Sequence, residues 1–382
     1  MRFIPFFSVF CFLSTSIQAQ DTVYARQVIK YLTSEKCFGR GYVKNGLQSA
    51  EKYLVSELKK QNVTPLFNSS FTQSFIHPVN TFPKACAVSV NGKKLKPGND
   101  FILDPSACSA KGKFNLQRVD TSHFICADGD PKISVSLKNK LTYSVGREVV
   151  NFCGLEIDRT KFKEEPKEIE LDIQNKFIEN FESKNIGCFI NGQSSSDTMI
   201  VFSAHYDHLG GIGKSTFFPG ANDNASGVSV ILNLVKCYQV HPPKYKTVFI
   251  FFAGEEAGLL GSKFFVESKA IDLYKIKFLI NLDLLGTGDD GIMVVNGAVY
   301  EKEFSILTKI NSEEKLVKEI KKRGKASNSD HYWFSEAGVP CFFIYTMGGI
   351  KAYHDVYDIE RTLPLTDYVD VFKLITEFVA YF

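Results

Sequence analysis

The chain has 382 residues, and its 45 Lys plus Arg nearly cancel its 42 Asp plus Glu, leaving a net charge of +3. An apolar fraction of 44% beside 23% charged residues is that of an ordinary globular protein and excludes disorder as the main state. The balanced charge also argues against nucleic acid as a partner, which would call for a basic excess or patch.

The first residues read as a targeting segment. Arg2 precedes a mostly apolar run from Phe3 to Ile17, and Ala19, between Gln18 and Gln20, offers a small residue for cleavage. That is the pattern of a secretory signal peptide over residues 1–19. The run is shorter than the roughly 20 apolar residues of a membrane span and is broken by Ser8, Ser14, Thr15 and Ser16. Cys11 lacks the small preceding residue of a lipoprotein site, and no later stretch spans a bilayer. The expectation is an exported protein, periplasmic or secreted if the source is bacterial. Without Cys11 an even set of cysteines remains, none in a C-x-x-C pair. Disulfides are permitted, chiefly among Cys86, Cys108, Cys126, Cys153 and Cys188, whereas Cys237 and Cys341 lie in apolar runs and read as buried thiols.

In chain order, residues 20–75 form a helical part. Helices are predicted over 22–36 and 47–61, the second from the helical spacing of Leu47, Ala50, Tyr53, Leu54 and Leu58. Residues 76–185 change character to short alternating runs such as Ile133–Leu137 and Ile169–Ile173, with Asn91-Gly92 as a turn signal. They read as a β-rich insertion or small lobe. From 186 to 382, buried-strand runs (199–204, 247–253, 278–282, 341–345) alternate with helical stretches near 225–238, 259–267 and 304–321, and 363–382 suits a closing helix. The fold class is therefore α/β, with a mainly parallel, mixed central sheet covered by helices on both faces.

In such a sheet, chemistry gathers at the C-terminal strand ends. The first run ends in His205-Tyr206-Asp207-His208, the second in Gly254-Glu255-Glu256 and the third at Asp283. A polar turn, Asn222-Asp223-Asn224-Ala225-Ser226-Gly227, opens the intervening helix, and Tyr353-His354-Asp355 follows the last strand. Each element alone is commonplace: a helix cap, a surface pair, a solvent-facing Glu. Together they bring imidazoles and carboxylates, the ligands of zinc-like ions, to one sheet edge. No serine or cysteine nucleophile is required, and Ser203 and Ser226 read as a strand end and a helix start.

This ordered set resembles that of the co-catalytic di-zinc aminopeptidases, peptidase family M28, which also includes glutamate carboxypeptidases and glutaminyl cyclases. The resemblance covers about residues 186–382 and touches Phe38-Gly39-Arg40-Gly41, similar to a Gly-Arg-Gly element of secreted bacterial members. It implies a zinc-exopeptidase fold and two divalent metal ions, with zinc expected. Asp223 would bridge them, His205 and Asp283 completing one site and Glu256 and His354 the other. Glu255 would be the general base, and Asp207 would accept a hydrogen bond from the His205 ring. Two divalent ions outweigh three carboxylates, so the centre stays positive, as water activation and carbonyl polarisation require.

The implied activity is an aminopeptidase acting on peptides with a free N-terminus. A carboxypeptidase or dipeptidase of the same fold is the first alternative and a glutaminyl cyclase a lesser one. His208 reads as a solvent-facing loop residue. Asp330 or His331, within Ser329-Asp330-His331-Tyr332-Trp333-Phe334, is expected to shape the pocket. His77, His123 and His241 read as surface residues without carboxylate neighbours, and Lys318–Lys325 as a solvated helix end. Residues 76–185 are expected to border the substrate entrance without contributing to the metal site.

Overall fold

Four apolar runs, Lys246–Phe252, Met199–His205, Ile276–Leu282 and Cys341–Thr346, lie parallel and side by side in that order. They form the centre of a nine-stranded mixed sheet in a computed structural model that describes residues 21–382. The signal-peptide reading of residues 1–19 lies outside the described residues. On one flank, the long strand Lys176–Ile190 pairs antiparallel with Lys246–Phe252 and carries Thr72–Thr81 and Thr64–Pro65. On the other, Ile292–Val295 runs antiparallel to Cys341–Thr346, with Ile320–Lys322 outermost.

The central strands read as continuous apolar runs because both faces are covered. Ile200, Phe202 and Ala204 point into a core shared with the helices Thr22–Leu32, Gly46–Lys60, Gly227–Val240 and Tyr368–Ala380. Met199 and Val201 point the opposite way, onto Phe265 and Phe334 of the helices Leu260–Glu267 and His331–Glu336. Among the described residues, no helix is long and apolar enough to cross a membrane.

The β-rich segment is narrower than residues 76–185 and lies between Thr81 and Lys176, because Thr72–Thr81 and Lys176–Ile190 pair within the central sheet. A five-stranded and a four-stranded sheet enclose their own apolar cluster, which includes Phe101, Leu155 and Leu171 and extends to Leu209, Ile212 and Phe218 of the main part. The strand Glu168–Ile173 buries alternate residues, as a sheet with one solvated face does.

Three further expectations are corrected. The helix placed over 304–321 is Glu301–Glu314, because Asn311 holds both the N–H and the carbonyl of Val317 and turns the chain into a strand. Lys318–Lys325 is accordingly no helix end: it includes the strand Ile320–Lys322, and Lys318, Lys322 and Lys325 pair with Asp290, Glu301 and Glu336. The eight described cysteines are all unpaired. Cys153 and Cys188 belong to different apolar clusters, the insertion's and the main sheet's, where each packs as a small hydrophobe.

Candidate metal centre and active site

Parallel register sets His205 beside Phe252 and Ser203 beside Asn281. The residues that follow those strands, Gly254-Glu255-Glu256 and Asp283, therefore emerge at the same edge as His205. Asp223 reaches that edge from the turn before Gly227–Val240, and His354 from the loop after Cys341–Thr346.

The two oxygens of Asp223 face different imidazoles. Oδ1 lies 3.3 Å from His205 Nε2, and Oδ2 lies 3.1 Å from His354 Nε2. His205 Nε2 is also 3.4 Å from Asp283 Oδ2, and His354 Nε2 is 3.3 Å from Glu256 Oε2. One carboxylate thus sits between two donor sets, His205 with Asp283 and His354 with Glu256. The other nitrogen of each ring is engaged: His205 Nδ1 meets the carbonyl of Asp207 at 3.2 Å, and His354 Nδ1 that of Tyr143 at 2.9 Å. Holding Nδ1 to a carbonyl fixes the tautomer and leaves the Nε2 lone pair for a metal. Asp283 Oδ1 is buried without a hydrogen-bond partner, a polar atom that an ion would satisfy. The donor set fits two divalent cations. A cavity of about 390 Å³ opens onto it, lined also by Glu255, Gly258, Leu284, Phe343, Tyr345 and Tyr353.

Electrostatics agree with a site built for positive charge. Burial opposes a charged His205, yet Asp283 and Glu255 hold its ring well above the usual histidine range. Burial likewise opposes a charged His354, while Glu256 and Asp223 lift it to about 9. Burial pushes Glu255 well above the carboxylate range, helped by Glu256, Asp330 and Asp283 against the pull of His205. Burial also raises Asp358 and Asp330 to about 7. A raised folded-state pKa contributes stability that is whole below the unfolded value and is lost as pH rises through the folded one. These groups should therefore cost the chelated protein stability between about pH 4 and about pH 9, the acids first and His354 last, offset up to about pH 6.5 by buried His331, whose pKa burial lowers to about 4. Zinc-loaded protein, whose ligands are already deprotonated, should show a flatter profile. Urea midpoints measured across that range with and without zinc check this; parallel profiles would contradict it.

The sequence of residues 185–379 matches the model of peptidase family M28. The chain belongs to peptidase family M28. This M28 chain is 32% identical over 146 residues to aminopeptidase YwaD of Bacillus subtilis, a stretch covering 37% of the chain and 30% of YwaD. It spans 25% or less of several fungal probable zinc metalloproteases that it also matches. Its fold is similar to that of a zinc aminopeptidase from Bacillus subtilis, at a TM-score of 0.66 and 21% identity over 94% of this chain and 95% of the other. It is also similar to a peptidase M28 precursor from Shewanella amazonensis, at a TM-score of 0.69 and 13% identity over 94% and 93%.

Several residues of the M28 chain sit elsewhere than the sequence suggested. The Asp207 carboxylate does not take the His205 proton: its nearer oxygen is 3.8 Å from Nδ1, and the backbone carbonyl takes that contact. The carboxylate instead accepts the backbone N–H groups of Glu255 (3.2 Å) and Glu256 (3.3 Å) and the hydroxyl of Tyr42 (3.2 Å), fixing the turn that carries both glutamates. His208 is fully buried, not solvent-facing. Its Nδ1 lies 2.6 Å from Glu256 Oε1, so it orients that carboxylate's second oxygen. His208, Asp223 and Glu256 could also be grouped as metal ligands. His354 is the better-placed imidazole, since its Nε2 faces both carboxylates closely while His208 is 3.9 Å from Asp223.

Asp330 and His331 are buried, and both polar atoms of each side chain lack hydrogen-bond partners; neither lines the cavity. Their neighbour Ser329 instead donates to Asp283 Oδ2 at 3.3 Å and accepts from Asn281. His77 is buried against Ser183, and His123 is exposed but lies 2.8 Å from Asp120. His241 is exposed.

Arg40, which the sequence marks only within Phe38-Gly39-Arg40-Gly41, has a role that its spacing does not reveal. Its buried guanidinium donates to the carbonyls of Leu32, Tyr206, Pro219, Gly220 and Asp223. Asp358 accepts the N–H groups of Asn222 and Asp223 from the other side. The bridging Asp223 is thus held by its backbone. The insertion also reaches the site, contrary to expectation, through the Tyr143 carbonyl on His354.

Proposed function

We propose that this chain is a metal-dependent exopeptidase that releases the N-terminal residue of peptides, an aminopeptidase. The observation that carries this is Asp223, whose two oxygens face His205 and His354 in two separate donor sets. The names of YwaD and the Bacillus subtilis structure, both aminopeptidases, favour that specificity over a carboxypeptidase, a dipeptidase or a cyclase. His205, Asp223 and Asp283 would hold one zinc ion, and His354, Asp223 and Glu256 the other. Two such ions supply Lewis acidity for the scissile carbonyl and lower the pKa of water.

The rest falls to the chain's own residues. Glu255 lines the cavity beside Glu256, and its raised proton affinity suits a base that accepts the proton of the attacking water and hands it to the leaving amine. Asp207 keeps the Glu255-Glu256 turn in place, and Tyr143 and His208 orient His354 and Glu256. The targeting pattern of residues 1–19 supports export, where extracellular or periplasmic peptides would be the substrates.

The purified protein should hydrolyse peptides with a free N-terminus but not their N-acetylated forms. A chelator should abolish hydrolysis and added zinc restore it. Preference for the blocked peptide, or activity indifferent to chelation, would contradict the reading.

A further inference from the structure

His354 stands on a loop that the insertion grips. Its φ of +54° is left-handed, a conformation that a residue other than glycine keeps only where its surroundings enforce it. Tyr143 supplies part of that grip, donating its N–H to the His354 carbonyl at 2.9 Å while its own carbonyl meets Nδ1. Lys140, shortly before it in the chain, crosses the same loop with its side chain. Nζ donates to the carbonyl of Lys351 at 2.9 Å, ahead of His354, and lies 3.6 Å from Asp355 Oδ2, behind it. Between these anchors the ammonium stands 6.0 Å from the centre of the Tyr353 ring, which stacks on the His354 imidazole at 4.0 Å and 16°.

Asp355 completes the clamp. It is only 8% exposed, and its two oxygens accept the N–H groups of Tyr353 (3.3 Å) and Tyr357 (2.9 Å), folding the chain around His354. Among the described residues, Lys140 is its one cationic partner. Without that ammonium the carboxylate stays buried with no counter-charge, and the Lys351 carbonyl loses a donor. The Lys140 side chain is itself 48% exposed, so the pair contributes little to global stability. Its effect is local: it decides where one metal-ligating ring points. The insertion keeps other ties to the loop, since the Tyr357 hydroxyl bonds to Asn99 and Lys161. Losing Lys140 therefore loosens the loop without freeing the insertion. Groups that orient a ligating histidine commonly change metal affinity by about 10–100-fold, and Lys140, one contact further out, belongs at the lower end.

We propose that Lys140 is a positioning residue for His354: by tying Lys351 and Asp355 to the insertion, it sets the affinity of the zinc site that His354 shares with Glu256 and leaves the His205 site alone. This rests on the two-ion assignment above. Zinc competition against a calibrated chelator should resolve two binding steps in the wild-type protein, one of which His354→Ala abolishes. Lys140→Met should weaken that step by about tenfold and leave the other within about twofold, with the urea midpoint of the chelated protein nearly unchanged. Lys140→Arg keeps the charge and can reach both anchors, so it should restore most of the affinity. Both steps unchanged in Lys140→Met, both weakened alike, or no recovery in Lys140→Arg overturns this inference alone. A wild-type protein that binds a single zinc ion overturns the two-ion assignment and this inference with it.

Discussion

Glu255→Gln is expected to lower kcat by about 10²–10⁴-fold while both zinc ions stay bound, the usual share of general acid–base catalysis. The two donor sets, His205 with Asp283 and His354 with Glu256 around Asp223, leave Glu255 unassigned. Gln is close to isosteric, and the turn is held through the backbone N–H groups of residues 255 and 256 by Asp207. The substitution should therefore leave the geometry intact and remove only proton acceptance. Glu256→Gln should differ, losing zinc from the set that contains His354. The contrast is informative because His205, Glu255 and Glu256 also offer ligand atoms within 4.8 Å of one another. Metal content measured beside kcat separates the two glutamates. If zinc fell in step with activity in Glu255→Gln, Glu255 would be a ligand and the base would have to be sought elsewhere.

The central strands and the strand-end polar residues were legible because both follow from periodicity: an apolar run ends where a strand ends, and the next polar group faces the edge. Asp207 and His208 show where that logic stops. In an extended chain Asp207 shares the side of His205, and His208 points away. The strand ends at His205, however, and the N–H of His208 then bonds to the carbonyl of Arg40, so alternation no longer applies. His208 turns inward to Glu256, and the Asp207 carboxylate turns to the neighbouring loop. Tyr143 could not have been found, since it acts through a backbone carbonyl that every residue possesses. Arg40 did leave a trace in its flanking glycines. A Cβ on Gly39 would lie 2.1 Å from the Gly210 carbonyl, and one on Gly41 would lie 2.4 Å from the Gly210 nitrogen. The chain must pass that close to residues 208–210 for the guanidinium to reach its carbonyls, and only a resemblance, not spacing, pointed there.

Arg40→Met is expected to destabilise the protein by about 3–5 kcal/mol and to lower zinc affinity with it, although Arg40 ligates nothing. Methionine fills much of the same volume, so packing is largely kept, but the carbonyls of Leu32, Tyr206, Pro219 and Asp223 lose the guanidinium as donor, and that of Gly220 keeps only the N–H of Ala225 at 3.3 Å. Each unsatisfied buried acceptor costs about 1–3 kcal/mol before relaxation. Water entry and loop movement recover part of that sum, which leaves a loss like that of breaking a buried ion pair. Against a typical total stability of about 5–15 kcal/mol, it is a large fraction. Burial already works against the charged guanidinium, and the charges of Asp223, Asp358 and Asp207 help to retain it. Removing it therefore also leaves those buried acids less compensated. Arg40→Lys tests whether charge or geometry dominates. An ammonium keeps the charge but has three donors and no planar fork, so most of the carbonyls should still be abandoned and the loss should stay above half that of methionine. Urea midpoints of the chelated proteins measure the stability term, and zinc competition against a calibrated chelator measures the affinity term. If Arg40→Met kept the wild-type midpoint, the guanidinium would not be what joins the turn at 219–223 to the strand end at Tyr206, and Asp358 alone would have to hold Asp223 in place.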